Sequence, residues 1–139
     1  MTDVASAIQA LNEDNDNSHE FVIHGEPSNE TEYQRDVKYV SGSDDNGSAI
    51  FSDTQPYTWS QVNTKKSALQ TQYNNDQYKR DRAAAYPAIS EQLDKLFHDI
   101  DNGTLTTSGD FYTALNAVKT ANPKPSDRDW ETAALSLLY

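Results

Sequence analysis

The chain has 139 residues, 35% of them apolar, a formal net charge of −11 and no cysteine. This points to one domain, or one domain with a small extension, with a lean core, and excludes disulfides and thiolate metal sites. Almost all the excess charge falls in residues 1–58, where Arg35 and Lys38 face twelve acids, whereas residues 59–139 carry nine bases against ten acids. Such an acidic front repels phosphate, so neither nucleic acid nor an anionic membrane is an expected partner.

No apolar run approaches the roughly 18 residues of a membrane helix. Met1-Thr2-Asp3-Val4-Ala5 lacks the basic start and apolar core of a cleaved signal, so a soluble, unexported protein is expected. Val4, Ala7, Ile8 and Leu11 share one helical face and predict a short N-terminal helix. The acidic, Asn-rich stretch 12–18 reads as a solvated loop. Glu20-Phe21-Val22-Ile23-His24 predicts a strand closed by Gly25, and Glu30–Tyr33 a single helical turn capped by Ser28 or Asn29. Val37–Val40 and Ala49–Phe51 predict two further strands, joined by a hairpin loop over residues 41–48 with Asn46-Gly47 at its tip. A sheet of two or three short strands needs a helix to cover it.

From Trp59 the apolar period changes from two to that of a helix. Thr58 caps this helix, and Trp59, Val62, Leu69 and Tyr73 give it an apolar side. Run unbroken to Ala85, it would measure about 40 Å at 1.5 Å per residue. Its middle, Gln70 to Gln77, is almost wholly polar, which is the mark of a bridge or of a face packed on another chain. Lys79-Arg80-Asp81-Arg82 is the one basic cluster. Pro87 suits a helix's first turn, and Ile89, Leu93, Leu96, Phe97 and Ile100 make one apolar stripe, stopped by Asn102-Gly103. Thr107 or Ser108 caps the next helix, whose stripe is Phe111, Leu115 and Val118, ended by Asn122-Pro123-Lys124-Pro125. Ser126-Asp127-Arg128-Asp129 resembles a capping arrangement ahead of a short helix with Trp130, Ala133, Ala134, Leu137 and Leu138 on one face. The fold class expected is α+β: an acidic β-containing part, 1–57, and a helical part, 58–139, with one long helix and two to three shorter ones.

Chemistry-bearing motifs are few. Residues Asp99 to Asp110 join two helices over twelve positions, begin Asp-x-Asp and end on an acid, which echoes a calcium-binding EF-hand loop. Against it, Gly103 occupies the fifth position, where a ligand belongs, Thr104 the sixth, where the glycine is needed, and Asp110 reaches less far than the usual bidentate Glu. A plain turn with capping acids is the reading preferred, and no metal or cofactor is expected. Ser43-Asp44-Asp45-Asn46-Gly47-Ser48 is oxygen-rich but carries the hairpin signal itself. His19, His24 and His98 are scattered in sequence; His98 is spaced for an ion pair with Asp94 or Asp101, with no base-and-nucleophile pattern around it. No Gly-x-Ser-x-Gly and no phosphate loop occurs. Tyrosine and tryptophan are favoured at protein interfaces. The expected partner-binding residues are therefore Trp59, Tyr73, Tyr78, Tyr86, Trp130, Leu137 and Tyr139, with core filling as the alternative role for the aromatic rings.

Three stretches become informative together: Thr58-Trp59-Ser60-Gln61-Val62, Arg80-Asp81-Arg82-Ala83-Ala84-Ala85-Tyr86-Pro87-Ala88-Ile89, and Gln92-Leu93-Asp94-Lys95-Leu96-Phe97-His98-Asp99-Ile100. They resemble small virion-associated proteins of tailed bacteriophages, particularly those of marine cyanobacteria. The Arg82-to-Leu96 pattern, Arg-x-x-x-Tyr-Pro-x-Ile-x-x-Gln-Leu-Asp-x-Leu, is also similar to a module appended to phage tail and fibre proteins, and the likeness extends to Phe111-Tyr112 and Asn122–Pro125. Residues Phe21 to Glu30 resemble the start of such proteins, whereas the stretch from Ser126 matches least. The resemblance implies a non-enzymatic structural component of the particle: a capsid decoration or a tail-, neck- or fibre-associated protein. It would be found in the virion, and in host cytoplasm during assembly. The implied partners are larger virion proteins, or a second copy of the chain, and no catalytic residues come with it. A tail-fibre assembly chaperone that leaves the particle is the alternative.

Overall fold

The computed structural model describes residues 2–125. The fold is α+β, with a small antiparallel sheet followed by helices. The chain divides into two compact units, Met1–Tyr73 and Asn74–Tyr139. The change of periodicity at residue 58 and the spatial division at residue 73 differ because the front of the long helix belongs with the first unit. Val62 is fully buried in that unit's core.

In the first unit, helix α1 (Val4–Asp14) is capped by Asp3, whose carboxylate accepts the Ser6 N–H at 2.7 Å. The spacing of Val4, Ala7 and Ile8 puts all three in the core, with Leu11 packed beside them. Strand β1 (Phe21–Ile23) pairs antiparallel with β2 (Val37–Ser43) in the register Phe21↔Tyr39 and Ile23↔Val37. Strand β3 (Ala49–Phe51) completes the order β1-β2-β3, with an irregularity between Val40 and Gly42. The hairpin loop is shorter than the expected 41–48, because β2 runs on to Ser43. The Asp44 carboxylate then accepts the N–H groups of Asn46 and Ser48 at 2.9 and 2.8 Å, and Gly47 takes φ +80°. Helix α2 (Glu30–Asp36) is longer than the single turn expected. Asn29 accepts the Glu32 N–H at 3.0 Å, while the Glu32 carboxylate reaches back to the Ser28 N–H at 2.8 Å.

Helix α3 (Trp59–Asn75) opens on a reciprocal cap: Thr58 Oγ1 accepts the Gln61 N–H at 3.2 Å and Gln61 Oε1 accepts the Thr58 N–H at 2.8 Å. The long helix to Ala85 forms, but bent: a turn at Asp76 separates α3 from helix α4 (Gln77–Ala85). From Gln70 to Gln77 only Tyr73 offers an apolar surface, so little apolar packing keeps the helix straight, and the polar stretch becomes the connection between the units.

In the second unit, Tyr86 ends α4 in extended backbone (φ −63°, ψ 138°), as the residue before a proline must. Pro87 therefore stands outside the helix it was expected to open. Helix α5 runs Ile89–Asp101 with Ala88 as N-cap, and the Pro87 carbonyl accepts the Gln92 amide at 2.7 Å. Asn102 and Gly103 (φ +69°) stop it as expected. Helix α6 (Asp110–Ala121) follows and ends before Pro123. Its cap is neither Thr107 nor Ser108 but Gly109, which has no side chain to offer. Among the described residues no helix is long and apolar enough to cross a membrane.

Candidate interaction surface

The two units differ in how they dispose of apolar side chains. In the first, Tyr33, Tyr39 and Tyr57 are buried with Val4, Ile8, Val37 and Val62. Tyr33 Oη donates to the Tyr57 carbonyl at 2.9 Å and lies 2.9 Å from Tyr39 Oη. Since the one Tyr33 proton is used on the carbonyl, Tyr39 must donate to Tyr33. Burial raises the Tyr33 hydroxyl pKa, and burial together with the bond donated to Tyr33 raises that of Tyr39. Tyr57 Oη in turn donates to Asn12 Oδ1 at 2.8 Å. A cleft of about 660 Å³ beside β2 is lined by Gln34, Lys38, Phe51, Asp53 and Gln55 among others. Its donors are committed: Lys38 Nζ to the Gln34 carbonyl at 2.8 Å, and Gln55 Nε2 to the carbonyls of Tyr33 and Val37 at 3.2 Å each.

In the second unit the buried side chain among the described residues is not apolar but Asp99. Its Oδ2 accepts the Phe111 N–H at 2.8 Å, and its Oδ1 accepts the Asp110 N–H at 3.1 Å and the Thr104 hydroxyl at 3.0 Å. Asp99 thus serves, from the last turn of α5, as the cap that Gly109 cannot provide for α6. The backbone bond from Phe111 leads in holding its carboxyl below the ordinary aspartate range, against the opposing effect of burial. A Cβ on Gly109 would stand 2.4 Å from the Thr104 carbonyl oxygen and 2.6 Å from Asp99 Oδ2, so only glycine admits this approach. The loop that echoes an EF-hand spends its first acid on the following helix.

The apolar stripe of α5 points elsewhere. At 100° per residue, Gln92, Leu96 and Asp99 form the side turned inward, and Ile89, Leu93, Phe97 and Ile100 centre about a quarter-turn round. Those four are 74%, 58%, 64% and 59% exposed. On α6, Phe111, Leu115 and Val118 are half-buried, and Tyr112 is exposed. Asp94 and His98 occupy the polar side of α5, 3.6 Å apart and both well exposed.

The expected partner-binding residues are not brought together. Trp59 packs on the first unit's core, its ring 5.7 Å from that of Tyr33. Tyr73 is exposed near the end of that unit. Tyr78 lies half-buried in the second unit with the Arg82 guanidinium 5.0 Å from its ring centre, and Tyr86 is half-buried at the end of α4. Trp130, Leu137 and Tyr139 lie outside the described residues. The face that is assembled, Ile89-Leu93-Phe97-Ile100, was visible as a stripe in the sequence. What the sequence withheld was that α6 does not cover it. No protein-family model, curated protein or solved structure matches the chain.

Proposed function

We propose that the chain is a non-enzymatic structural component of a bacteriophage particle, either a capsid decoration or a tail-, neck- or fibre-associated protein. It acts by packing its helical part on larger virion proteins. One observation carries the docking chemistry: four large apolar side chains stand in a row on α5, each more than half exposed. Side chains at i, i+4, i+8 and i+11 of one helix are the arrangement by which an amphipathic helix and a groove recognise each other. Their burial would supply the affinity, at roughly 25 cal/mol per Å² of apolar surface removed from water. The charge asymmetry agrees, since the acidic excess lies in residues 1–58 and charged groups are depleted at interface cores. The phage setting rests on the motifs around Tyr86-Pro87 and Gln92-Leu93-Asp94.

The test is mass spectrometry of purified particles from cells expressing the wild-type chain or the double variant Leu93→Asp, Phe97→Asp. The wild type is expected in the particle and the variant is expected to be soluble, helical and left out. A wild-type chain absent from particles but recovered with immature tail fibres would replace this reading with that of an assembly chaperone. Normal incorporation of the variant would remove α5 as the docking face.

A further inference from the structure

Strand β1 is an edge of the sheet, whose order is β1-β2-β3. The His24 N–H donates to the Asp36 carbonyl and the Val40 N–H to the Glu20 carbonyl, both at 2.9 Å. Bonded residues alternate along an antiparallel ladder, so Glu20, Val22 and His24 turn their backbone groups to β2, and Phe21 and Ile23 turn theirs away. The N–H and C=O groups of those two residues have no partner among the described residues. The next outward carbonyl, that of His19, is taken: the Asn12 side-chain amide of α1 donates to it at 2.9 Å. A side chain thus bonds the edge at one end of the row and leaves the rest open. Beside the open part runs a groove of about 650 Å³, lined by Ala5 and Gln9 of α1 and by Glu20, Phe21, Val22 and Val40 among others.

We propose that this groove receives an extended segment of a partner protein, carrying lysine or arginine, which pairs with β1 as a fourth strand. The site lies in the first unit and goes beyond the docking face on α5. It does not rest on that reading.

The backbone decides the conformation of the occupant. Four unpaired groups along one strand edge are matched by another strand, whereas a helix has already used its own. Charge decides the composition. Glu20 is the formal charge in the groove's lining, and Glu13 follows Gln9 by one turn on the same side of α1. The nearest bases are engaged elsewhere. Lys38, opposite Val22, donates to the Gln34 carbonyl on α2, and Lys65 and Lys66 pair with Asp14 and Glu26. A second copy is the wrong occupant, because β1-to-β1 pairing would join two acidic parts, each with twelve acids against two bases. A basic strand reverses that sign, and opposite charges facing each other across strands stabilise a sheet. The other edge is less suited, since β3 meets β2 through the irregularity between Val40 and Gly42, and such a feature turns an edge away from further pairing.

The test is an NMR titration of the labelled full-length protein with the capped peptide Lys-Val-Lys-Val-Lys-Val-Lys. Amide exchange is expected to slow more at Phe21 and Ile23 than at Val22, whose N–H already bonds within the sheet. Signals of Ala5 and Gln9 should shift with them. The capped peptide Glu-Val-Glu-Val-Glu-Val-Glu is expected to produce neither effect. Glu20→Lys, at an exposed position, should weaken binding of the lysine peptide about fivefold. The acidic peptide needs no variant, so it decides the matter if Glu20→Lys disturbs the fold. Equal protection by both peptides would overturn the proposal, as would no protection by either. Protection centred on Ala49–Phe51 or on residues 89–100 would also overturn it. So would protection of Phe21 and Ile23 that grows with protein concentration alone, which would mark a second copy as the occupant. None of these outcomes depends on particle incorporation, so this inference can fail while the docking reading stands, and the reverse.

Discussion

Asp99 caps a helix that starts eleven residues after it: its Oδ2 accepts the N–H of Phe111 at 2.8 Å from across the loop. Two turns of structure are tied by one carboxylate, because the residue at the cap position is a glycine. Asp99→Ala is expected to loosen the α5–α6 hairpin and leave the first unit unchanged. Hydrogen exchange should speed up over residues 99–121 and not over 4–14. Asp99→Asn should keep part of the cap, since its amide oxygen still accepts one N–H.

The same contact sets an acid dependence. Folding lowers the Asp99 pKa, so its contribution is fully present above the unfolded-state value of 3.8 and is lost as pH falls below that and through the folded value. Asp99 stability is therefore expected to be flat from neutrality to about pH 4 and to fall below it. In Asp99→Asn that part of the fall should be missing from an acid titration followed by the α5–α6 amides.

Gly109→Ala tests the closeness of the approach. The added methyl would meet the Thr104 backbone oxygen at 2.4 Å, and backbone cannot step aside as a flexible side-chain end can. A loss of about 1–3 kcal/mol is expected, as for overpacked interiors, read by denaturant unfolding of the helical part. Gly103→Ala, with open space around its Cβ, differs in kind: its cost comes from the positive φ of 69° alone.

Calcium at millimolar concentration is expected to leave the melting temperature unchanged. The first carboxylate of the twelve-residue loop already accepts two backbone N–H groups and the Thr104 hydroxyl, and a cation would have to break them. A metal that binds only the folded state raises stability by mass action, so a rising melting temperature would show the loop rearranging to take the ion.

How far the sequence disclosed this molecule follows from which signals were local. The caps at Asn29 and Thr58, the hairpin at Asn46-Gly47 and the stop at Gly103 each depend on neighbours within a few residues, and each stands where the pattern placed it. A turn with capping acids over 99–110 was legible, but not that Asp99 is the acid that caps α6, because its partners lie eleven and twelve residues away and a glycine sits at the cap, which no window of helix-start residues reveals. The long helix to Ala85 was legible but its bend at Asp76 was not, because a polar run reads as helix by propensity while offering little of the apolar packing that holds a helix straight. The stripe on α5 was plain, but periodicity reports that a face is apolar and not what covers it. Of the aromatic residues expected at an interface or as core filling, Trp59 stands half-buried against the first unit's core, its ring 5.7 Å from that of Tyr33 on α2, a contact between segments far apart in sequence that no local pattern reports.

The last prediction concerns the tyrosines of that core. Tyr33 Oη stands between two partners, donating to the Tyr57 carbonyl and accepting from Tyr39. Tyr33→Phe leaves a buried carbonyl and a buried hydroxyl each without its bond, at an expected loss of about 1–3 kcal/mol. Tyr39→Phe removes only a donor, because Tyr33 keeps its bond to the carbonyl, so its loss should be nearer 1 kcal/mol, about the net worth of one hydrogen bond. Both hydroxyls have raised folded-state pKa values, so their contribution is fully present below the unfolded value of about 10 and is lost as pH rises through the folded one. The readout is an alkaline titration followed by tyrosinate absorbance. Tyr33 and Tyr39 should ionise together with the loss of first-unit structure. Ionisation of either one in the intact fold would show that the hydroxyl chain is open to solvent.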